Sequence, residues 1–300
     1  MLDIAGDKFD LSKVASGELT PMYFGSAMTN FGVKTFLEEF IEMAPAPGDK
    51  LTNNGIVEAD DSSFSAFVFK IQANMNSSHR DRIAFMRICS GKFEKGIEVT
   101  NPRVEKSIKL SQPQQFFGQE RTIVEEAYAG DIIGVFDPGT FSIGDTICQG
   151  KKDFKFEGIP MFPAEHFASV RTNNTLKRKQ FLKGITQIVA EGAIQIFKQP
   201  NIGTETFIVG VVGVLQFEVL EHRMKTEYGA DIIIERLPYT LARWVGNTTL
   251  TRDMLRFLDS VALVEDEQKR QVLLCVDEWT FNSIRDKNKD VEFYDISPSN

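Results

Sequence analysis

Nucleophilic and metal-binding chemistry requires closely spaced cysteine, histidine or carboxylate side chains, and few such groupings occur in this sequence. The cysteines, Cys89, Cys148 and Cys275, are odd in number and far apart, and no Cys-x-x-Cys pair exists. The three histidines are also scattered, with no pair four residues apart. These spacings argue against a zinc site or a disulfide framework and favour a reducing cytoplasm. A free-standing hydrolase or transferase with a cysteine or histidine nucleophile stays an alternative without a local signature.

The acidic balance of the whole chain conceals two basic segments that could meet phosphate groups. The formal net charge is −8. Nine basic and five acidic residues lie between Arg80 and Arg121, and five basic residues and no acid lie between Arg171 and Lys183. Phosphate attraction acts over a screening length of about 10 Å, so local segments can bind RNA on an acidic protein. Solvated surfaces are the alternative, and the acidic tail Asp259–Asp295 favours a third possibility, an adaptor for a basic protein.

The elements that position these charges begin with an apolar strand at Tyr23–Phe24, which runs into a small-residue turn. Apolar residues at helical spacing then predict an amphipathic helix over Val33–Ile41, and the prolines of Ala44–Gly48 end it. From about Thr52 to Gly150, short β-branched and aromatic stretches alternate with glycine turns, which is typical of a closed β-barrel. No apolar run approaches the roughly 20 residues that span a bilayer.

Beyond Phe154, strand and helix patterns alternate. The predicted elements are a strand near Met161, a helix over Thr175–Glu191, strands over Ala193–Lys198 and Thr206–Gly210, a helix over Val214–Tyr228 and a strand over Asp231–Glu235. This βαββαβ order is that of a ferredoxin-like unit. The tail is predicted to add strands over Ala242–Val245, Val272–Val276 and Val291–Ile296, and helices near Asp253–Ser260 and Trp279–Asp286. Cys89, Trp244 and Trp279 are expected in the core.

Several motifs are specific enough to compare with known families. They are Gly17–Val33, Phe69–Met75, His79–Met86, Ser90–Gly96, Val124–Gly134, Gly210–Val219 and Ala242–Trp244. In this order they resemble the peptide chain release factor 3 family, and the resemblance covers essentially the whole chain. Single pieces such as Ser90–Gly96 are shared by all translation-factor barrels. A translational GTPase of the elongation factor G kind is the alternative, against which Gly25–Ala27 and Phe69–Met86 discriminate.

The resemblance implies a multidomain β and α/β protein in three parts. Residues 1–48 would be the C-terminal remnant of a GTP-binding domain, and residues 49–153 a translation-factor β-barrel. Residues 154–300 would form a ribosome-interacting, ferredoxin-like α+β domain similar to elongation factor G domain III. Full-length members of the family use GTP with Mg²⁺ to release class I release factors from the ribosome. The implied partners are ribosomal RNA and proteins, with class I release factors met indirectly and no membrane or DNA.

A GTPase requires a phosphate loop of the form Gly-x-x-x-x-Gly-Lys-Ser/Thr, and this sequence has none. Gly91-Lys92 is followed by Phe93, and Gly150-Lys151 is followed by Lys152. Asn288-Lys289-Asp290 lacks the one-residue gap of the guanine-specificity motif. The chain is therefore expected to lack most of the GTP-binding domain. By itself it should bind no cofactor and hydrolyse no GTP, as a ribosome-docking portion without the nucleotide motor.

The resemblance also implies a nucleotide contact at Ser26, Ala27 and Met28. This turn is similar to the last guanine-contacting motif of translational GTPases, in which backbone amides meet the edge of the base. Small residues allow that close approach. The alternative is a plain strand-to-helix turn with Asn30 as the N-cap.

The predicted RNA contacts lie in two places. Arg80 and Arg82, in a barrel loop, could bridge RNA phosphates, or could form an arginine–aspartate pair that closes a solvated turn. The second place is a basic patch whose members are Arg171, Lys177, Arg178, Lys179 and Lys183. Cations at the start of a helix oppose its macrodipole, which suggests an external anion, and a solvated face is again the alternative.

Overall fold

The computed structural model describes residues 8–73, 82–110, 113–117, 120–150, 154–159, 162–199 and 206–297, without the side chains of 114–117, 120 and 121. It contains an N-terminal helical segment, a β-barrel unit and a two-sheet α/β unit. The described residues include no helix that is long and apolar enough to cross a membrane.

The N-terminal segment consists of helix α1, Leu11–Ser16, and helix α2, Val33–Met43. The amphipathic helix predicted near α2 is confirmed, but Tyr23–Phe24 forms no strand. The N-cap of α2 is Gly32, which has a φ of 72° and no side-chain hydrogen bond. Asn30 therefore does not cap the helix, and the alternative that gave it this role is wrong. None of residues 8–48 is buried, so the apolar face of α2 is exposed in this chain.

The barrel unit is built from β1 to β12. The hairpin β1–β2 is Lys50–Thr52 and Gly55–Val57, and the other strands are β3 Ser65–Ala73, β4 Arg82–Ser90, β5 Lys92–Glu94, β6 Glu98–Asn101, β7 Lys106–Lys109, β8 Gln114–Phe117, β9 Glu120–Ile123, β10 Glu126–Tyr128, β11 Ile132–Phe136 and β12 Thr146–Cys148. Eight strands form one antiparallel sheet in the order β7-β6-β12-β3-β4-β11-β8-β9, and β5 pairs with β10. Among the described residues, no backbone pairing joins the edge strands β7 and β9.

The larger of the two apolar clusters described in this unit lies between its sheet and its ribbon. Phe93 and Ala127 from the β5–β10 ribbon pack in the same cluster as Val68, Met86 and Ile133 from the large sheet. Alternation along each strand sends these residues inward, so the sheet and ribbon enclose one core. The predicted barrel strands between Phe64 and Phe136 are therefore confirmed as one packed unit.

The first sheet of the C-terminal unit confirms the predicted βαββαβ order, but its first strand begins at His166, and Met161, near which it was predicted, lies outside the described residues. Its elements are β13 His166–Thr172, α3 Arg178–Ala190 preceded by a 3-10 turn at Thr175–Lys177, β14 Gln195–Phe197, β15 Thr206–Val211, α4 Leu215–Tyr228 and β16 Ile232–Leu237. The strands are all antiparallel and lie in the order β14-β15-β13-β16. This arrangement is ferredoxin-like, with both helices on one face of the sheet.

The second sheet repeats the same strand order with one helix fewer. Its elements are β17 Leu241–Val245, β18 Val261–Glu265, β19 Gln271–Cys275, α5 Glu278–Lys287 and β20 Phe293–Tyr294. The order β18-β19-β17-β20 corresponds to that of the first sheet. The helix predicted near Asp253–Ser260 is wrong, because this segment forms two 3-10 turns at Arg252–Met254 and Leu258–Ser260. Strand β18 was not predicted.

The two sheets pack face to face. Phe167 and Phe197 from the first sheet meet Trp244, Val264 and Leu274 from the second in one buried cluster. Helices α3 and α4 cover the opposite face of the first sheet. Helix α5 covers the outer face of the second. The C-terminal unit thus has four layers, helix, sheet, sheet and helix, and its surface residues are held on a well-packed support.

Candidate nucleic-acid interface

The turn at Ser26–Met28 is held by its own backbone. The Ser26 amide donates to the Phe31 carbonyl at 3.0 Å, and a Cβ added at Gly32 would lie 2.5 Å from the Phe24 carbonyl oxygen. Glycine is therefore required where the two sides of the turn meet. Met28 is 97% exposed at the tip. The turn presents its tip to solvent, and the guanine contact predicted at Ser26, Ala27 and Met28 stays a prediction.

Arg82 lies at the start of β4, whereas Arg80 lies outside the described residues. The Nε atom of Arg82 is 2.7 Å from Oδ2 of the buried Asp137, and the side chain is 19% exposed. Its Nη2 atom donates to the Phe141 carbonyl at 2.8 Å. An RNA contact at Arg82 stays a prediction. The ion pair with Asp137 and the hydrogen bond to Phe141 favour a structural role for this side chain.

Asp137 organises the loop that follows β11. Its Oδ1 atom accepts hydrogen bonds from the backbone amides of Gly139 at 2.8 Å, Thr140 at 2.7 Å and Phe141 at 3.2 Å. The Asp-Pro-Gly sequence at 137–139 is a turn signal that indicates this capping role. The sequence does not reveal that Arg82, far away in the chain, supplies the countercharge.

A second buried carboxylate was missed in the sequence. Asp145 accepts hydrogen bonds from Asn101 Nδ2 at 2.7 Å, Ser142 N at 2.8 Å, Arg103 Nε at 2.5 Å and Arg103 Nη2 at 2.9 Å. The hydrogen bond to Asp145 raises the pKa of Arg103 above its ordinary value. The Gly144-Asp145 turn was the only signal for it, and its role is to anchor the β6–β7 hairpin to the start of β12.

The structure keeps the five residues of the basic patch, Arg171, Lys177, Arg178, Lys179 and Lys183, near one end of the first sheet. Asn174 caps the 3-10 turn by accepting from the Leu176 amide at 2.9 Å. Helix α3 then begins at Arg178, without an acid in its first turn. Arg171, on β13, is 3.0 Å from the Glu235 carboxylate of the neighbouring β16.

Lys179 and Lys183 are the most available cations of the patch. Both are exposed, and they are four residues apart on α3, which places them on the same face. Within the part of the chain that the structure describes, no salt bridge involves either of them. Their ammonium groups, near the start of a helix, are suited to an anion such as a phosphate group.

The cysteines are poorly suited to nucleophilic chemistry. All three are buried thiols outside any disulfide bond, which confirms the expectation for Cys89. Burial raises the pKa of Cys89 to about 11 and that of Cys275 to about 12. Because the thiolate is the nucleophile, such thiols are inert near neutral pH. The described residues contain no group of three or more histidine, cysteine or carboxylate side chains that could hold a metal ion.

The two tryptophans differ in a way that the sequence did not indicate. Trp244 is 3% exposed, and its indole N–H donates to Asp266 Oδ2 at 3.0 Å, so the core prediction is confirmed for it. Trp279 is 64% exposed, so the same prediction for Trp279 is wrong. Its ring packs on Phe257, which is also largely exposed.

Comparison with known proteins agrees with this architecture. A family model described as elongation factor G domain 2 matches residues 63–150, which contain strands β3 to β12. A second, described as class II release factor RF3, C-terminal domain, matches residues 156–285, which contain most of the two-sheet unit. The barrel and the four-layered unit, with these matches, define a protein of the translation-factor class.

Relatives in other bacteria specify the family. Over 293 residues the chain is 52% identical to peptide chain release factor 3 of Symbiobacterium thermophilum, covering 98% of this chain and 55% of that protein. It is 49% identical over 302 residues to peptide chain release factor 3 of Gloeobacter violaceus, covering 99% of this chain and 56% of the relative. The chain belongs to the peptide chain release factor 3 family, and it spans about half the length of these relatives.

A solved structure supports the fold independently of close sequence similarity. A crystal structure of a protein from Thermus thermophilus superposes with a TM-score of 0.61 and 18% sequence identity, covering 80% of this chain and 36% of that one. At this identity the likeness concerns the fold alone. The arrangement of barrel and α/β unit therefore occurs in a protein of quite different sequence.

Proposed function

We propose that this chain is the ribosome-docking portion of a cytoplasmic translation termination factor. In this proposal, the complete factor uses GTP to remodel the terminating ribosome and release a class I release factor. The barrel and the four-layered unit act as a packed lever that carries contact residues to ribosomal RNA. The observation that carries the proposal is the pair of exposed cations, Lys179 and Lys183, on a helix of a chain that belongs to the release factor 3 family.

The N-terminal segment fits an attachment to a nucleotide-binding domain. Its exposed apolar side chains include Phe24, Met28 and Ile41, and a concentration of large exposed apolar residues is a feature of interaction sites. We infer that they pack against the part of the longer relatives that precedes this region. Ser26, Ala27 and Met28 would then lie beside the guanine base. GTP and Mg²⁺ would be held mainly by that preceding part, because this chain has no phosphate loop.

The RNA contact can be tested by charge reversal. Purified ribosomes are sedimented with the 300-residue chain at increasing salt, using wild type and the double variant Lys179→Glu with Lys183→Glu. Each phosphate contact contributes about one unit to the slope of log affinity against log salt. The slope should therefore fall by about 2 in the double variant. An unchanged slope would reject these residues as RNA contacts.

A matched control separates a local contact from the effect of total charge. Lys155→Glu with Lys225→Glu makes the same change in net charge at two exposed lysines outside the patch. This control should bind ribosomes with the wild-type salt slope. If both double variants lose the same slope, the interaction is a general electrostatic attraction.

The nucleotide part of the proposal predicts a negative result for this chain. A fluorescent guanine nucleotide titrated into the 300-residue chain should show no saturable binding at micromolar concentrations. Tight binding would contradict the division between a docking portion and a separate nucleotide motor. The mass of the native protein, taken from cell lysate with an antibody against this chain, shows which form the cell makes.

A further inference from the structure

An exposed aromatic pair stands on the outer side of the second sheet. Phe257, from the segment between β17 and β18, is 45% exposed, and Trp279, in the first turn of α5, is 64% exposed. Their ring centroids are 5.0 Å apart at an interplanar angle of 46°. Two large aromatic rings thus support each other at the surface, an arrangement that is common at the centres of protein interfaces.

The backbone at Phe257 is held in a costly conformation. Its φ and ψ are 55° and 54°, in the left-handed region, which costs a residue with a side chain about 1–2 kcal/mol. The Phe257 carbonyl accepts a hydrogen bond from the Ser260 amide at 2.7 Å. The preceding Met254 and Leu255 pack against the buried cluster beneath α5. The turn therefore packs two half-buried apolar side chains against this cluster and leaves the next aromatic ring largely exposed. Strained positions of this kind concentrate at binding sites.

The charged residues that lie next to the pair in the sequence are mostly negative. Exposed Asp259 follows Phe257 by two residues, and exposed Asp277 and Glu278 directly precede Trp279, whereas Arg256 is the neighbouring base. The hydrogen bond from the Thr280 backbone amide lowers the pKa of Asp277, so that carboxylate is ionised at neutral pH. Three acids and one base repel a phosphate backbone. Aromatic faces flanked by carboxylates attract the cationic side chains of arginine and lysine.

We propose that Phe257 and Trp279 form the centre of a docking site for a basic segment of a protein partner. An arginine or lysine of that segment lies over the exposed indole face, with its charge near Asp259 and Glu278. The partner is protein because the aromatic pair offers hot-spot side chains while the neighbouring acids disfavour RNA. The location of this partner on the ribosome rests on the proposed function. Binding of a basic peptide to the aromatic pair can be tested without ribosomes.

The first test measures the surface directly by tryptophan fluorescence. The chain contains two tryptophans, and Trp244 is buried, so the difference between wild type and Trp279→Phe reports the indole of Trp279. A peptide of alternating arginine and glycine should change this emission saturably. The double variant Asp259→Asn with Glu278→Gln should weaken peptide binding at least about tenfold. Polyuridylate RNA should leave the emission unchanged. A response to RNA but not to the peptide, or equal peptide binding by the double variant, overturns the proposal.

The second test uses purified ribosomes. Trp279→Ala should weaken binding about tenfold or more, as expected of an interface hot spot, whereas Phe162→Ala, at another exposed aromatic residue, should not. Both substitutions remove surface rings, and thermal melting followed by circular dichroism checks that each variant is folded. A photo-cross-linking residue at position 279 should attach to a protein. Attachment to RNA, or equal affinity of Trp279→Ala and wild type, overturns the inference. Failure of the wild type to bind ribosomes would instead overturn the proposed function.

Discussion

Glu191 joins the barrel to the C-terminal unit, and its removal is the sharpest test of how the two are coupled. The Glu191 Oε1 atom accepts a hydrogen bond from the backbone amide of Ala73, at the end of β3, at 2.9 Å. Arg223, on α4, donates to the same carboxylate at 2.6 Å and 3.1 Å. The two charged side chains are only 8% and 18% exposed. The barrel backbone, the end of α3 and helix α4 therefore meet at one shielded carboxylate.

The expected cost of Glu191→Ala follows from these contacts. Breaking a buried ion pair costs about 3–5 kcal/mol. Arg223 keeps two hydrogen bonds to Glu227, at 2.7 Å and 3.0 Å. We therefore expect a cost near the lower limit of this range. The Ala73 amide loses its acceptor on Glu191. We therefore expect a loss of about 3 kcal/mol in the free energy that opposes opening of this junction.

Hydrogen exchange at the Ala73 amide reports the combined loss of its acceptor and of the ion pair. It suits a protein of more than one unit, where a single unfolding free energy is not well defined. A loss of about 3 kcal/mol corresponds to exchange about a hundredfold faster. Glu227→Ala is the matched control, because it removes an i,i+4 partner of Arg223 and leaves the Glu191 contacts in place. That control should change exchange by less than about threefold. If Glu191→Ala leaves the Ala73 amide fully protected, the reasoning is refuted.

Three further predictions concern the barrel. Asp145→Ala should lower the denaturant midpoint by the equivalent of about 3 kcal/mol or more, because it leaves the Arg103 guanidinium without its buried carboxylate. An unchanged midpoint would contradict this prediction. Gly91→Ala should be less stable than Gly150→Ala in thermal unfolding. The two glycines have similar φ values of 68° and 74°, but only at Gly91 would the Cβ lie 2.6 Å from backbone atoms. Equal melting temperatures would contradict this. Burial raises the pKa of Cys89 from 9.0 to about 11, so the folded barrel binds this proton more tightly than the unfolded chain does. The free energy of unfolding of the barrel unit should therefore fall as pH rises through that interval, and should fall less in Cys89→Ala. Identical pH profiles would contradict this.

Local periodicity was enough to predict most of the C-terminal unit. The apolar spacing in α3 and α4 and the β-branched runs around them predicted the ferredoxin-like order, because each element buries one face and the pattern records that face. The helix predicted at Asp253–Ser260 failed for the opposite reason. Met254, Leu255, Phe257 and Leu258 have helical spacing, but the left-handed conformation at Phe257 interrupts the helix. The following strand β18 was missed because that helix was expected to end beside it.

Some residues of the candidate sites could likewise be found from the sequence, whereas others could not. The basic patch on α3 could be found from the sequence, since its residues are close together in the chain. The partner of Arg82 could not, because Asp137 is brought to it by the pairing of β4 with β11. The exposure of Trp279 was also hidden, because a tryptophan is apolar in any sequence and only the neighbouring turn decides whether it is covered.

The sequence by itself determined the family, the order of strands and helices in the ferredoxin-like sheet, the absence of a phosphate loop and the position of the basic patch. These properties depend on residue types and on spacings within one element. Only the tertiary structure decided which carboxylates neutralise Arg82, Arg103 and Arg223, and which aromatic rings remain on the surface. Those outcomes depend on contacts between elements far apart in the chain, whose geometry follows from sheet pairing and packing.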